Sequence, residues 1–198
     1  IRDGIYTFME DLKTDAQALE FMRMAIELSR SSVENGGGPF GAVIVRDGKV
    51  IATGSNSVTL KNDPTAHAEV SAIREACEKE GDFKLDGCVM YSSCEPCPMC
   101  LGAVYWAGIE KLYYANTRQD AADIGFDDPF IYDQIPPRLE DRSIPTLPMM
   151  AMRSEAVDVL RGRDKKEDKI EYRPLRSYTI HRYASHKAAA HTTGRRLD

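Results

Sequence analysis

His67 and the pair Cys97, Cys100 stand far apart in the chain, yet each opens a run of helical period. Val70, Ile73 and Ala76 follow the first at helical spacing, and Met99, Ala103 and Trp106 follow the second. If the three side chains act together, the chain must fold so that two helix starts meet at one point. A helix start carries unpaired amides and partial positive charge, which favours thiolate over thiol. One His and two Cys gathered there form a set of three zinc ligands, with a fourth position left for water.

Glu69, two residues past His67, is expected beside the metal rather than on it. Zinc lowers the pKa of bound water towards ~7, and a neighbouring carboxylate can take that proton and pass it to a substrate. A different chemistry is open to the same residues. Cys94, Cys97 and Cys100 are evenly spaced, and with His67 they could close a Cys3His cage with no position for water, the mark of a structural zinc module. Pro96 breaks the run and is expected to turn Cys94 elsewhere. Cys77 and Cys88 lie on apolar faces and read as small buried hydrophobes.

The surrounding pattern is a helix from Thr14-Asp15 to the stop at Gly36-Gly37-Gly38-Pro39, then strands at Ala42–Val45 and Val50–Ala52. An Asp47-Gly48 turn joins the strands. A helix opened by Asn62-Asp63-Pro64-Thr65, a strand at Cys88–Tyr91, a helix from Pro96 and a strand at Lys111–Ala115 complete the series. Strands alternating with helices imply an α/β sheet covered by helices. After Gly125 the pattern weakens, and Ser154–Leu160 offers one short helix.

Five cysteines, three of them clustered, do not make a disulfide framework, and a reducing, cytoplasmic setting is expected. No run approaches a membrane helix, and no signal peptide is expected from the pattern of Ile1–Asp15. Up to Leu160 there are 15 Lys/Arg against 26 Asp/Glu; from Arg161 onward there are 11 against 5. An acidic body argues against a polynucleotide lying across it.

His67-Ala68-Glu69 followed by Pro96-Cys97-Pro98-Met99-Cys100 is the zinc deaminase signature. The chain resembles the cytidine and deoxycytidylate deaminase superfamily, and within it the bacterial guanine deaminases. The resemblance rests on Gly37–Val45, Asn62–Glu69, Ser93–Ala103 and Asp120–Asp128; Gly125-Phe126-Asp127-Asp128 narrows it to enzymes acting on guanine or guanosine. It implies a three-layer sandwich with a central mixed sheet of about five strands and helices on both faces. It implies hydrolytic, zinc-dependent deamination of guanine to xanthine, with one zinc per chain and a homodimer that can exchange its C-terminal segments. It assigns His67, Cys97 and Cys100 to the metal, Glu69 to proton transfer, and Asn56 and Asp128 to the ring, with Asp128 also able to move protons. Ala68 is counted with the substrate contacts. Phe40, Trp106 and Phe126 are aromatic walls for a flat ring or else ordinary core. Without the family, Asn56 is more simply a strand-end turn residue and Asp128 a loop cap. Tyr172 is the candidate lid. Residues 1–172 then form one deaminase domain, and 173–198 form a basic tail, either a solvated extension or an arm for nucleic acid or an extra metal. Guanosine, cytosine and tRNA adenosine remain alternative substrates, and the zinc-stabilised binding module the alternative to an enzyme.

Overall fold

The computed structural model describes residues 16–126, 128–138 and 141–170. Helix α1 (Ala16–Glu34) leads into a hairpin of β1 (Gly41–Arg46) and β2 (Lys49–Ser55). A short α2 (Val58–Lys61) and α3 (Ala68–Glu80) follow. Then come β3 (Cys88–Cys94), α4 (Pro98–Ala107), β4 (Lys111–Asn116), α5 (Arg118–Ala122) and α6 (Asp128–Gln134). A 3-10 turn at Met150–Met152 runs into α7 (Arg153–Asp164).

The sheet is mixed, in the order β2-β1-β3-β4. β1 pairs antiparallel with both β2 and β3, and β3 pairs parallel with β4. The hairpin closes through Asp47 and Gly48, both with positive φ, the two-residue turn whose twist matches the strands. Strand β1 is buried along nearly its whole length, as a central strand covered on both faces must be. Alternate residues feed the two layers. Val43, Val45 and Tyr91 pack with Ala18, Phe21 and Ala25 of α1. Ala42, Ile44, Cys88 and Met90 pack beneath α3 and α4, against Ala72, Ala76, Val104 and Ala107.

This is the expected three-layer α/β class with four strands among the described residues, where about five were expected; nothing described after Asn116 pairs with the sheet. Two helix starts also shift. α3 begins at Ala68 rather than near Pro64, because the Asp63 carboxylate accepts from both the N–H (2.8 Å) and the hydroxyl (2.7 Å) of Thr65 and holds a turn there. α4 begins at Pro98 rather than Pro96, because the Glu95 N–H still donates to the Asn116 carbonyl (2.8 Å) and prolongs the sheet edge. The final helix is longer than the sequence pattern suggests, Arg153–Asp164.

One close approach sets the site. A Cβ on Gly54 of β2 would collide with the Ala68 carbonyl and lie 2.6 Å from the Ala72 nitrogen. The missing side chain lets the first turn of α3 press directly onto the sheet.

Candidate active site

His67 is the residue immediately before α3, and Cys97 holds the same position before α4. Both have the extended backbone of a helix cap, yet neither side chain caps its own helix. They turn towards each other instead. The Cys97 sulfur lies 3.6 Å and the Cys100 sulfur 3.5 Å from His67 Nδ1, and the three donor atoms lie within 4.8 Å of one another. Zinc–sulfur and zinc–nitrogen bonds of about 2.3 and 2.0 Å at tetrahedral angles put N and S about 3.5 Å apart. The donor set therefore fits zinc in type and in spacing.

The electrostatics of the bare site fit a cation as well. A hydrogen bond from Cys100, helped by one from His67, pulls the Cys97 thiol well below its ordinary value. Cys100 is pushed up by the Cys97 thiolate and by burial. His67 is raised, chiefly by Cys97. The lowered Cys97 thiol and its two close donor neighbours make a site suited to a divalent ion.

Cys94 is not part of this group. Its thiol donates to the Thr117 carbonyl (3.6 Å), and burial raises it to about 11. The fourth ligand that a Cys3His cage needs is directed away from the other three.

Glu69 sits in the first turn of α3, 5% exposed. Its Oε1 accepts a hydrogen bond from the Ser92 hydroxyl at 3.0 Å. Burial pushes its carboxyl up. A cavity of about 480 Å³ opens above it, lined by Phe40, Asn56, His67, Glu69, Phe126 and Asp128 among others. That volume is in the usual range of about 300–1,000 Å³ for small-ligand sites. Asn56 is buried, and both roles open to it in the sequence coexist. Its Oδ1 accepts from the Val58 N–H (3.2 Å) and shapes the turn, while the residue lines the cavity. Asp128 enters from the first turn of α6. Phe40 and Phe126 meet edge to face, 4.8 Å between centroids at 83°, so together they form a corner rather than a slot.

Two expected contacts are not among the residues that line the cavity. Trp106, 59% exposed, lines a separate apolar groove with Val70, Ile73, Cys77 and Phe83. It sits near the far end of α4 from the two sulfurs, which removes it from the cavity in this chain. Ala68 is wholly buried in the core where α3 meets Gly54. Tyr172, with the tail 173–198, lies outside the described residues.

Four residues around the site were not singled out in the sequence. Ser92 holds Glu69. The Arg118 N–H donates to Glu95 Oε2 (3.1 Å), the Arg118 guanidinium lies 4.9 Å from the Tyr132 ring centroid, and the Tyr132 hydroxyl donates to the Pro96 carbonyl (3.0 Å). This chain of contacts ties α6, which carries Asp128, to the loop that carries Cys97. The available signal was polarity in a buried strand: two serines continue the apolar run of β3.

Known proteins give the same picture. Residues 15–116 match the family model described as the cytidine and deoxycytidylate deaminase zinc-binding region. Guanine deaminase of Bacillus subtilis is 57% identical over 126 residues, 63% of this chain and 81% of that protein. The solved structure of guanine deaminase from that species superposes with a TM-score of 0.73, at 49% identity, over 78% of this chain and 98% of the other. A tRNA-specific adenosine deaminase of Agrobacterium fabrum is 46% identical over 99 residues, half of this chain and 65% of that protein. A further solved structure, a mutant protein in complex with 8-azaguanine, is 33% identical with a TM-score of 0.54, covering 70% of this chain and 71% of its own. By its motifs, its fold and these relatives, the chain belongs to the cytidine and deoxycytidylate deaminase family and is similar, within it, to the guanine deaminases.

Proposed function

We propose that the chain hydrolyses guanine to xanthine and ammonia, with zinc held by His67, Cys97 and Cys100. The observation that carries the chemistry is the Glu69 carboxylate lying beside that three-donor group at the floor of a cavity of small-ligand size. The choice of guanine rests on the guanine deaminase relatives and on Asp128 at the cavity wall.

Zinc, when bound, supplies the Lewis acidity that makes water a nucleophile at neutral pH. Glu69 then has two tasks. It accepts a proton from that water and delivers it to the ring nitrogen next to the amine-bearing carbon. It carries the second proton to the departing amine, so ammonia leaves and a carbonyl forms. Asp128 offers acceptors to the row of N–H donors along one edge of guanine. Asn56, its carbonyl already engaged by Val58, offers its NH2 group to a ring acceptor. Phe40 and Phe126 bound the ring's apolar surface.

Residues 1–172 are proposed as the deaminase domain, with Tyr172 as lid and 173–198 as an appended basic tail. Five free cysteines suit the reducing conditions of cytoplasm, and no helix among the described residues is long and apolar enough to cross a membrane. The experiment is ammonia release from zinc-loaded protein given guanine, guanosine, cytosine, cytidine and adenine side by side. Preferred turnover of guanine is expected. Preferred turnover of guanosine or a pyrimidine would keep the zinc chemistry and remove guanine as substrate. Zinc-replete protein silent on all five would remove both.

A further inference from the structure

Strand β3 alternates between the two layers, and Cys88, Met90, Ser92 and Cys94 share the face that looks towards α3 and α4. Cys88 and Met90 are wholly buried in the apolar core. Ser92 is the next residue on that face, 1% exposed, where an apolar side chain would be the ordinary choice. Its hydroxyl donates to Glu69 Oε1 at 3.0 Å. Glu69 is a flexible side chain set at the start of a helix, with a cavity on one side. A proton carrier must present one oxygen to the water and then to the ring without swinging between them.

We infer that Ser92 is a positioning residue: its hydroxyl pins one oxygen of the Glu69 carboxylate and leaves the other facing the cavity. The inference rests on the proposed deaminase reaction. Ser92 belongs neither to the donor group nor to the cavity lining. The two neighbouring serines divide their tasks by the strand's alternation. Ser93, on the opposite face, accepts from the Gly41 N–H (3.0 Å) and ties β1 to β3. Only Ser92 is directed at the reacting group.

The test compares Ser92→Ala with Ser92→Thr, which keeps a hydroxyl, and places Ser92→Ala also in a Glu69→Gln background. For Ser92→Ala, kcat should fall about tenfold or more, a part of the factor of about 10²–10⁴ that general acid–base catalysis supplies. KM and zinc content should stay within twofold of the parent, and Ser92→Thr should recover most of the rate. Added to Glu69→Gln, Ser92→Ala should cost little more, because a residue acting only through Glu69 has nothing left to position. An unchanged kcat, an equal loss in the Thr variant, or a full additional loss in the Glu69→Gln background would each overturn the inference. A crystal structure of zinc-loaded Ser92→Ala gives a readout apart from turnover: the carboxylate should be displaced or split between orientations. If the wild type turns over none of the five substrates, the proposed reaction has failed, and an unmoved Glu69 in that crystal structure would overturn the positioning role separately.

Discussion

A carboxyl group buried as deeply as Glu69 holds its proton more tightly than one in water, which suits a group that must receive a proton and give it back. Glu69→Gln keeps the shape and removes that capacity. Zinc content should stay at the parental level while kcat falls by about 10²–10⁴; metal analysis beside an ammonia assay reads both. Metal ligation separates the cysteines in the same way. Cys94→Ala should leave bound zinc unchanged, since that thiol faces Thr117, whereas Cys97→Ala removes a donor and should lose the metal on dialysis. Retention in both variants would take Cys97 out of the ligand set. At this scale the three donors and Glu69 could be picked out of the sequence because each belongs to a short motif with a chemical reason for its spacing. Ser92 was not, because the apolar run of β3 ends at Tyr91 and the sequence pattern marks the strand no further than that run. Trp106 shows the opposite failure: helical spacing places it on the same helix as the sulfurs without saying which groove it enters.

Elements deliver those residues, and two contacts control the delivery. Gly54 lets the first turn of α3 lie on β2. Gly54→Ala forces the helix off the sheet and should destabilise the fold by about 1–3 kcal/mol, or a melting temperature lower by about 2–4 °C per kcal/mol for a chain of this size. Unfolding in denaturant would check it, and an unchanged midpoint would mean that α3 slides without strain. The loop before α3 has a pH dependence of definite sign. Hydrogen bonds from the Thr65 hydroxyl and N–H hold the Asp63 carboxyl below its ordinary value. A depressed folded-state pKa stabilises above the unfolded value of about 3.9 and is lost as pH falls through the folded one. Stability should therefore decline on the acid side of pH 4. Asp63→Asn, which can still accept from the Thr65 N–H, should flatten that limb in a melting series against pH; an identical slope would exclude Asp63 as its source. The order of elements was legible in the sequence because periodicity and turn residues are local. The exact helix starts were not, since Asp63 holding Thr65 and Glu95 prolonging the sheet edge are contacts that only the folded chain makes.

The last part of the described chain fits poorly as the outer edge of a single molecule. Among the described residues, nothing buries any residue of helix α7. Before it, Ile144 is 77% exposed and Leu147 85% exposed, with Met149 and Met150 also open to solvent. Apolar side chains clustered over a short stretch mark a surface that is covered by something else, and a twelve-residue helix with no packed face is marginal in water. The groove that holds Trp106 and Phe83 is a second apolar surface on the same chain. A second copy would cover both surfaces at once, in the way the homodimer implied by the family resemblance requires. Sedimentation velocity should find a dimer at micromolar concentration. Leu147→Glu combined with Met149→Glu should shift it towards monomer while leaving zinc content unchanged, because both residues are exposed and neither belongs to the donor group or the cavity lining. If the dimer is required to close the cavity, KM for guanine should rise as the protein dissociates and fall again with increasing protein concentration. A wild type that sediments as a monomer throughout the range would remove the dimer and leave the exposed segment to be covered within its own chain.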